Sequence, residues 1–415
     1  MQFGLIGRKL GHSFSAEIHS KLAEYNYELY PIEPDKLDEF FKKSDFKAIN
    51  VTIPYKEKVM PYLYYIDPLA IKIGAVNTVI NKNGKLYGYN TDFFGMTQMI
   101  LKSGIEVKGK TAAILGSGGT SKTAMTVLSD LGAERYYVVS RNADDKSITY
   151  SDLYSIADNI DIILNTTPCG MFPDSENCAV EIEKFKNLSG VIDVVYNPLN
   201  TKLTLDAKKR NIKIVNGLYM LVAQAALASS LFTDDKSVIS KCDSVYLDIL
   251  KEKLNIALIG MPGCGKTTIG KELAKILSRP FIDSDEEFVK NQKMSIPEFF
   301  KEYSEEEFRN KETEIIFDIS KNQSQIIATG GGIITRPQNI DHLKKNSIIV
   351  FLDKDLKSLE IGNGRPLTSD IYALEKKYKE RYHLYKNYCD IKIDITNDLK
   401  LNTQKILNAL SEMII

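Results

Sequence analysis

Residues 260–267 read Gly-Met-Pro-Gly-Cys-Gly-Lys-Thr, between an apolar run, Asn255 to Ile259, and a helical pattern that opens near Thr268. A strand, a loop of spacing GxxxxGK[ST] and a helix fold together in few ways, because the loop wraps its backbone around an anion. Glycine lets the N–H groups turn inward, and the N-terminus of the helix adds partial positive charge. Gly263, Cys264, Gly265, Lys266, Thr267 and Thr268 are therefore expected to cradle the phosphates of ATP. Lys266 reaches the β- and γ-oxygens, and the Thr267 hydroxyl serves Mg²⁺. Cys264 reads as a small residue the loop tolerates.

Strand-like runs alternate with helical patterns along all 415 residues, which predicts an α/β chain with mostly parallel sheets. That length exceeds one core and points to two or three domains. Lys plus Arg and Asp plus Glu number 54 each, so no global field favours nucleic acid or an anionic membrane, and any anion site must be local. Five cysteines without a CxxC pair argue against a disulfide framework and a structural zinc. No apolar stretch approaches the roughly 18 residues of a spanning helix. The start, Met1 to Gly7, reads as a strand rather than a signal peptide. Small-molecule partners in the cytoplasm are expected.

A second glycine turn, Gly116-Ser117-Gly118-Gly119-Thr120-Ser121, follows a predicted strand, Thr111 to Leu115, and opens a helix. That is the setting for a pyrophosphate at a helix N-terminus. The next strand, Arg135 to Val139, ends in Ser140-Arg141, and a cation there suits the 2′-phosphate of NADP. Asp144 and Asp145 work against that preference, and Lys146 offsets them. Upstream, polar residues collect at strand ends: Ser13 and Ser15, Thr52 and Lys56, Asn77, and Asp92. A hairpin is predicted around Asn83-Gly84, a favoured type I′ pair. The polar set makes a pocket for a polyhydroxylated acid.

With their neighbours, these residues resemble shikimate dehydrogenase over roughly residues 1 to 250. The carrying stretches are Gly7 to Ser15, Asn50 to Lys56, Gly74 to Thr78, Gly88 to Asp92, Asn165 to Met171, Asp193 to Leu199 and Asn216-Gly217-Leu218. The resemblance implies that Ser13 and Ser15 hold the substrate carboxylate, and that Thr52, Asn77 and Asp92 hold its hydroxyls. It implies Lys56 as acid/base paired with Asp92, and NADP(H) on Gly116 to Thr120, Ser140 and Arg141. Val194 and Gly217 would lie beside the cofactor, and Tyr196 and Gln224 beside the substrate. The chain departs from the family pattern at Lys9 and Ala16 (usually Pro), at Ser20 and Ser140 (commonly Asn) and at Tyr219 (commonly Gly). The changes at Ser140 and Tyr219 bear on cofactor affinity. His12 and His19 read as structural.

Beyond the P-loop, Asp283-Ser284-Asp285 ends a predicted strand, and Phe308-Arg309 is followed by Glu312. Gly330-Gly331-Gly332 closes the strand Gln325 to Ala328, and Gly364-Arg365-Pro366-Leu367 precedes Arg381-Tyr382-His383-Leu384-Tyr385. Here the chain resembles shikimate kinase, over about residues 254 to 415. The resemblance implies that Asp285 binds the acceptor 3-hydroxyl and assists its deprotonation. Arg309 and Arg381 would clamp the acceptor carboxylate, with Gly331 contributing backbone. Asp283 would join Thr267 at Mg²⁺, and Arg365 would sit on a lid over the transferring phosphoryl group.

The expected organisation is a dehydrogenase-like part over 1–253 and a kinase-like part over 254–415. Within the first, about 1–103 and 233–253 would bind substrate and about 104–232 would bind NADP. Two other readings stay open on residues alone: a related polyol dehydrogenase joined to a different kinase, and a sensing protein whose first half no longer turns over.

Overall fold

The computed structural model describes residues 2–11, 13–359 and 371–414, so Arg365 and His12 lie outside the described residues. The described residues build three sheets in two units, Met1–Ile249 and Leu250–Ile415. The division falls inside the helix Cys242–Lys253.

The first sheet of the first unit comprises β1 (Phe3–Gly7), β2 (Tyr27–Pro31), β3 (Ala48–Val51), β4 (Tyr65–Ile66), β5 (Thr78–Lys82) and β6 (Lys85–Tyr89), in the order β2-β1-β3-β5-β6-β4. β1 pairs in parallel with β2 and β3, whereas β5 runs antiparallel to β3 and β6. The reversal is local in origin. Asn83 and Gly84 take φ of +55° and +82°, as a type I′ turn requires, and a two-residue turn joins only antiparallel strands.

The second sheet holds β7 (Thr111–Leu115), β8 (Arg135–Val139), β9 (Ile162–Asn165), β10 (Gly190–Asp193) and β11 (Lys213–Val215), all parallel, in the order β11-β10-β9-β7-β8. Ala112 to Leu115 and Ile162 to Leu164 are buried on both faces, hence their unbroken apolar runs. The strand order reverses direction beside β7, which opens a crevice at the C-terminal ends of β7 and β9.

The helix Leu218–Thr233 is buried nearly all round and packs on the helices Ser15–Leu22 and Asp92–Ser103. The contact with the latter is tight at Gly95, where a Cβ would meet Met220 O at 2.6 Å. A helix apolar on every side does not mark the face it will bury. After it come a 3₁₀ segment, Lys236–Lys241, and the helix Cys242–Lys253.

The second unit has one parallel sheet: β12 (Asn255–Ile259), β13 (Phe281–Asp283), β14 (Ile326–Ala328), β15 (Ser347–Asp353) and β16 (Ile391–Asp394), in the order β13-β14-β12-β15-β16. Its core gathers Ile256 to Ile259, Ile348 to Leu352, Phe288, Phe308 and Tyr385. The P-loop joins β12 to a helix, Lys266–Leu277, that begins two residues before Thr268 because Gly265 (φ +99°) already completes the turn. Asp285 stands in the first turn of the helix Ser284–Gln292 rather than at a strand end.

Candidate active sites

A cleft of about 460 Å³ lies between the two sheets of the first unit. Lys56 Nζ donates to Asp92 Oδ2 at 2.5 Å, with side-chain exposures of 13% and 9%. Asp92 opens the helix Asp92–Ser103, whose N-terminus favours its negative charge. Asn77 is fixed from behind: its Oδ1 accepts from Thr91 N (2.7 Å) and its Nδ2 donates to Thr91 Oγ1 (3.0 Å). Asn50 Nδ2 donates to Thr78 Oγ1 (3.0 Å), and Tyr27 OH donates to Asn50 Oδ1 (2.7 Å). Asn50, Thr78 and Thr91 lie in the stretches that carry the resemblance but were given no role of their own from sequence.

Ser13 Oγ donates to Ser15 Oγ at 3.0 Å, and both serines line this cleft, as do Thr52 and Lys9. Thr91 Oγ1 donates to Gln224 Oε1 at 3.4 Å, which holds Gln224 beside Asn77. Tyr196 lines the cleft with its ring 5.2 Å from that of Phe14, and burial raises its phenol. Tyr219 turns elsewhere. Its hydroxyl donates to Asp243 Oδ1 at 2.6 Å and its ring meets Tyr246 edge-on, so this departure from the family pattern braces helices. His19 stacks on Tyr27 at 3.9 Å, and burial pushes its imidazole down to about 3, which keeps it neutral and structural.

The dinucleotide turn leaves β7 at Gly116, where φ is +103° and a Cβ would meet Thr167 Cγ2 at 2.9 Å. Gly118 caps the helix Gly119–Asp130, and Thr120 and Val194 line the cleft. At Gly217 a Cβ would strike Val194 O at 2.0 Å, so no side chain narrows that wall. Ser117 Oγ lies 3.5 Å from Ser140 Oγ, and the Arg141 guanidinium is exposed. Asp144 is turned into its own loop: its Oδ1 accepts from Ser147 Oγ (2.6 Å) and Lys146 N (3.1 Å), which lower its carboxyl. Behind this rim Asp193 accepts from Thr201 Oγ1 (2.6 Å), Asn165 Nδ2 and Val195 N (3.0 Å each). Burial nonetheless pushes Asp193 up to about 6. It ties the ends of β9 and β10 together, a role its motif did not disclose.

The second unit has its own cleft of about 460 Å³, lined by the P-loop, Asp283, Asp285, Arg309, Gly330 to Gly332 and Arg381. Lys266 Nζ donates to Gly260 O (2.9 Å) and Met261 O (3.1 Å), folded onto its own loop. Cys264 is buried, its Sγ 2.9 Å from where a Cβ on Gly260 would fall. Thr267 Oγ1 donates to Asp283 Oδ2 at 2.7 Å, while Asp283 Oδ1 caps the next helix by accepting from Asp285 N at 3.0 Å. Asp285 is pushed up to about 6, by burial first and then by the charges of Asp283 and Glu312.

Arg309 Nη1 donates to Glu312 Oε2 at 2.8 Å and Nη2 to Glu305 Oε1 at 3.2 Å. Arg381 Nη1 donates to Gly331 O at 3.1 Å, and Tyr385 OH donates to the same oxygen. The glycine run is spatially enforced. A Cβ at Gly330 would sit 2.7 Å from Asp285 Oδ1, and one at Gly332 would sit 2.2 Å from Arg309 Nη1. Lys377 and Lys354 also line this cleft and were not singled out from sequence.

Fold and clefts together define a dinucleotide-type oxidoreductase unit followed by a P-loop phosphotransferase unit. Residues 5–79 match the family model described as shikimate dehydrogenase substrate binding domain, and residues 262–411 that described as shikimate kinase. The shikimate dehydrogenase (NADP(+)) of Clostridium perfringens (strain 13 / Type A) is 38% identical over 265 residues, spanning 60% of this chain and 97% of that protein. The crystal structure of shikimate dehydrogenase 1 from Peptoclostridium difficile is 39% identical with a TM-score of 0.56, covering 60% of this chain and 98% of that one. A chorismate mutase/shikimate 5-dehydrogenase fusion protein from Clostridium acetobutylicum is 37% identical with a TM-score of 0.55, covering 60% and 97%. The chain belongs to the shikimate dehydrogenase family, and its second unit is a shikimate kinase domain.

Proposed function

We propose that the first unit reduces 3-dehydroshikimate to shikimate with NADPH, and that the second phosphorylates shikimate at its 3-hydroxyl with ATP. The product of one unit is then the substrate of the other. The observation that carries this reading is the enclosed Lys56–Asp92 pair, set in one cleft with the Ser13–Ser15 hydroxyls. It offers a proton donor where a carbonyl would be reduced and donors where a carboxylate would rest.

When bound, NADPH would supply the hydride for C3. Gly116, with no room for a Cβ, and the helix N-terminus after Gly118 suit its pyrophosphate, and Arg141 suits its 2′-phosphate. As the carbonyl oxygen gains charge, the Lys56 ammonium stabilises it and delivers the proton that completes the hydroxyl. Asp92 holds that ammonium in place and accepts from a substrate hydroxyl. Thr52, Asn77, Tyr196 and Gln224 orient the remaining ring substituents, and Ser13 and Ser15 donate to the carboxylate.

In the second unit Asp285 takes the proton of the 3-hydroxyl, and its carboxyl near 6 is placed to ionise close to neutrality. Gly263 to Thr268 wrap the phosphates through backbone N–H groups, and Lys266 exchanges its two loop carbonyls for phosphate oxygens. Mg²⁺ supplies charge neutralisation; the Thr267 hydroxyl and Asp283 carboxylate, already 2.7 Å apart, are the oxygen donors that would hold it. Arg309, Arg381 and the Gly331 backbone receive the acceptor carboxylate, and Arg365 is proposed for the transferring group. The five free cysteines suit the reducing cytoplasm.

A single reaction with 3-dehydroshikimate, NADPH and Mg·ATP tests the whole scheme. Cofactor oxidation and ADP release should rise together, the second lagging the first. ADP release that does not require NADPH, or NADPH oxidation with no ADP formed, would defeat it.

A further inference from the structure

The helix Ile371–Tyr388 carries Arg381 to the acceptor end of the second unit's cleft. Lys377 precedes Arg381 by four residues, which sets both side chains on one helix face, and both line the same cleft. The cations around that end are not equivalent. Arg309 already spends both ends of its guanidinium on carboxylates, Glu312 at 2.8 Å and Glu305 at 3.2 Å. Its charge is matched before any acceptor arrives. Arg381 is held by a backbone carbonyl, which orients it without neutralising it. Among the described residues, neither Arg381 nor Lys377 has a carboxylate within ion-pairing distance. Positive charge without a directly paired carboxylate therefore includes these two, one helical turn apart at the acceptor end.

We propose that Lys377 is a specificity-determining cation of the kinase unit, which with Arg381 supplies the net positive charge that selects an acceptor bearing a carboxylate. This rests on the reading of the second unit as a kinase for a hydroxylated acid. Arg309 still offers N–H donors in a fixed fork, whereas Lys377 brings a point charge on a flexible stem that, among the described residues, no carboxylate pairs directly. Burial, then the charges of Arg381 and Arg309, lower its ammonium, with Glu305 opposing the arginines. An arriving carboxylate relieves that repulsion.

Steady-state kinetics of the full chain test this, comparing wild type with Lys377→Met and Lys377→Arg on shikimate and on its methyl ester. Lys377→Met should raise KM for shikimate about tenfold, the scale of one partly solvated charge-assisted contact, and leave kcat and KM for ATP within about twofold. The preference for acid over ester should shrink by the same factor, and Lys377→Arg should recover most of it. An unchanged KM, or equal losses on acid and ester, overturns the proposal. If wild type phosphorylates neither acceptor, the kinase reading falls and this inference with it. If wild type accepts shikimate and Lys377→Met matches it, only this inference falls.

Discussion

Lys56 and Asp92 stand 36 residues apart in sequence, yet their charged atoms meet at 2.5 Å with both side chains largely buried. Such a pair holds the ammonium in one orientation. Lys56→Ala should lower the rate of NADPH-dependent reduction by about 10²- to 10⁴-fold, the usual range for a positioned acid–base group. ATP-dependent phosphorylation of added shikimate by the same variant should stay within about twofold of wild type. Lys266→Ala should show the opposite pattern. Loss of both activities from either change, in protein with an unaltered circular dichroism spectrum, would contradict separate sites.

Asp285 sets activity against stability. Its carboxyl, pushed up to about 6, must be ionised to accept a proton, so kcat/KM of the kinase reaction should fall as pH drops through about 6. The stability effect has the opposite sign. Because its folded value lies above the ordinary carboxylate value of about 4, this group's contribution to stability is present at acid pH and is lost as pH rises from about 4 to about 6. Asp285→Asn should therefore raise the stability of the second unit at neutral pH while lowering kcat by about 10²-fold or more. A flat rate profile from about pH 5 to about pH 7 would place the base elsewhere.

Gly332 leaves no room for a methyl group beside Arg309, whose guanidinium nitrogens lie 2.2 and 2.4 Å from the position a Cβ would take. Gly332→Ala should push that guanidinium out of its pairing with Glu312. Misplacing a positioning group costs rate and affinity steeply, so KM for shikimate should rise about tenfold or more with KM for ATP little changed. Isothermal titration with shikimate would check the same loss without turnover.

Arg141 lies two residues beyond the end of β8 and is exposed, and the nearby Asp144 is turned into its own loop by Ser147 and Lys146. Arg141→Ala should weaken NADPH binding by about tenfold, as loss of a charge-assisted phosphate contact does, and leave NADH use nearly unchanged. Equal loss for the two cofactors would remove Arg141 from the 2′-phosphate.

Much of this protein was legible because its determinants are neighbours in the chain. The strands Thr111–Leu115, Arg135–Val139 and Asn255–Ile259 follow from short apolar runs bounded by glycine turns, and the Asn83-Gly84 hairpin from two residues that tolerate positive φ. The phosphate loop is legible for the same reason, since its geometry is a matter of backbone conformation within eight residues. What the sequence did not disclose depends on which distant surfaces meet. The helix Leu218–Thr233 is apolar all round, so nothing in it marks the helices it joins, and Tyr219 points to Asp243 rather than to the cofactor side. The Asn50–Thr78 and Asn77–Thr91 hydrogen bonds exist because three strand ends and a helix start converge. Residue types alone determined which chemistry each unit could hold. Only packing decided that Arg309 would be matched by two acids while Arg381 and Lys377 kept their charge for a ligand, because the balance of charge in a cleft is set by distances between side chains that no local pattern encodes.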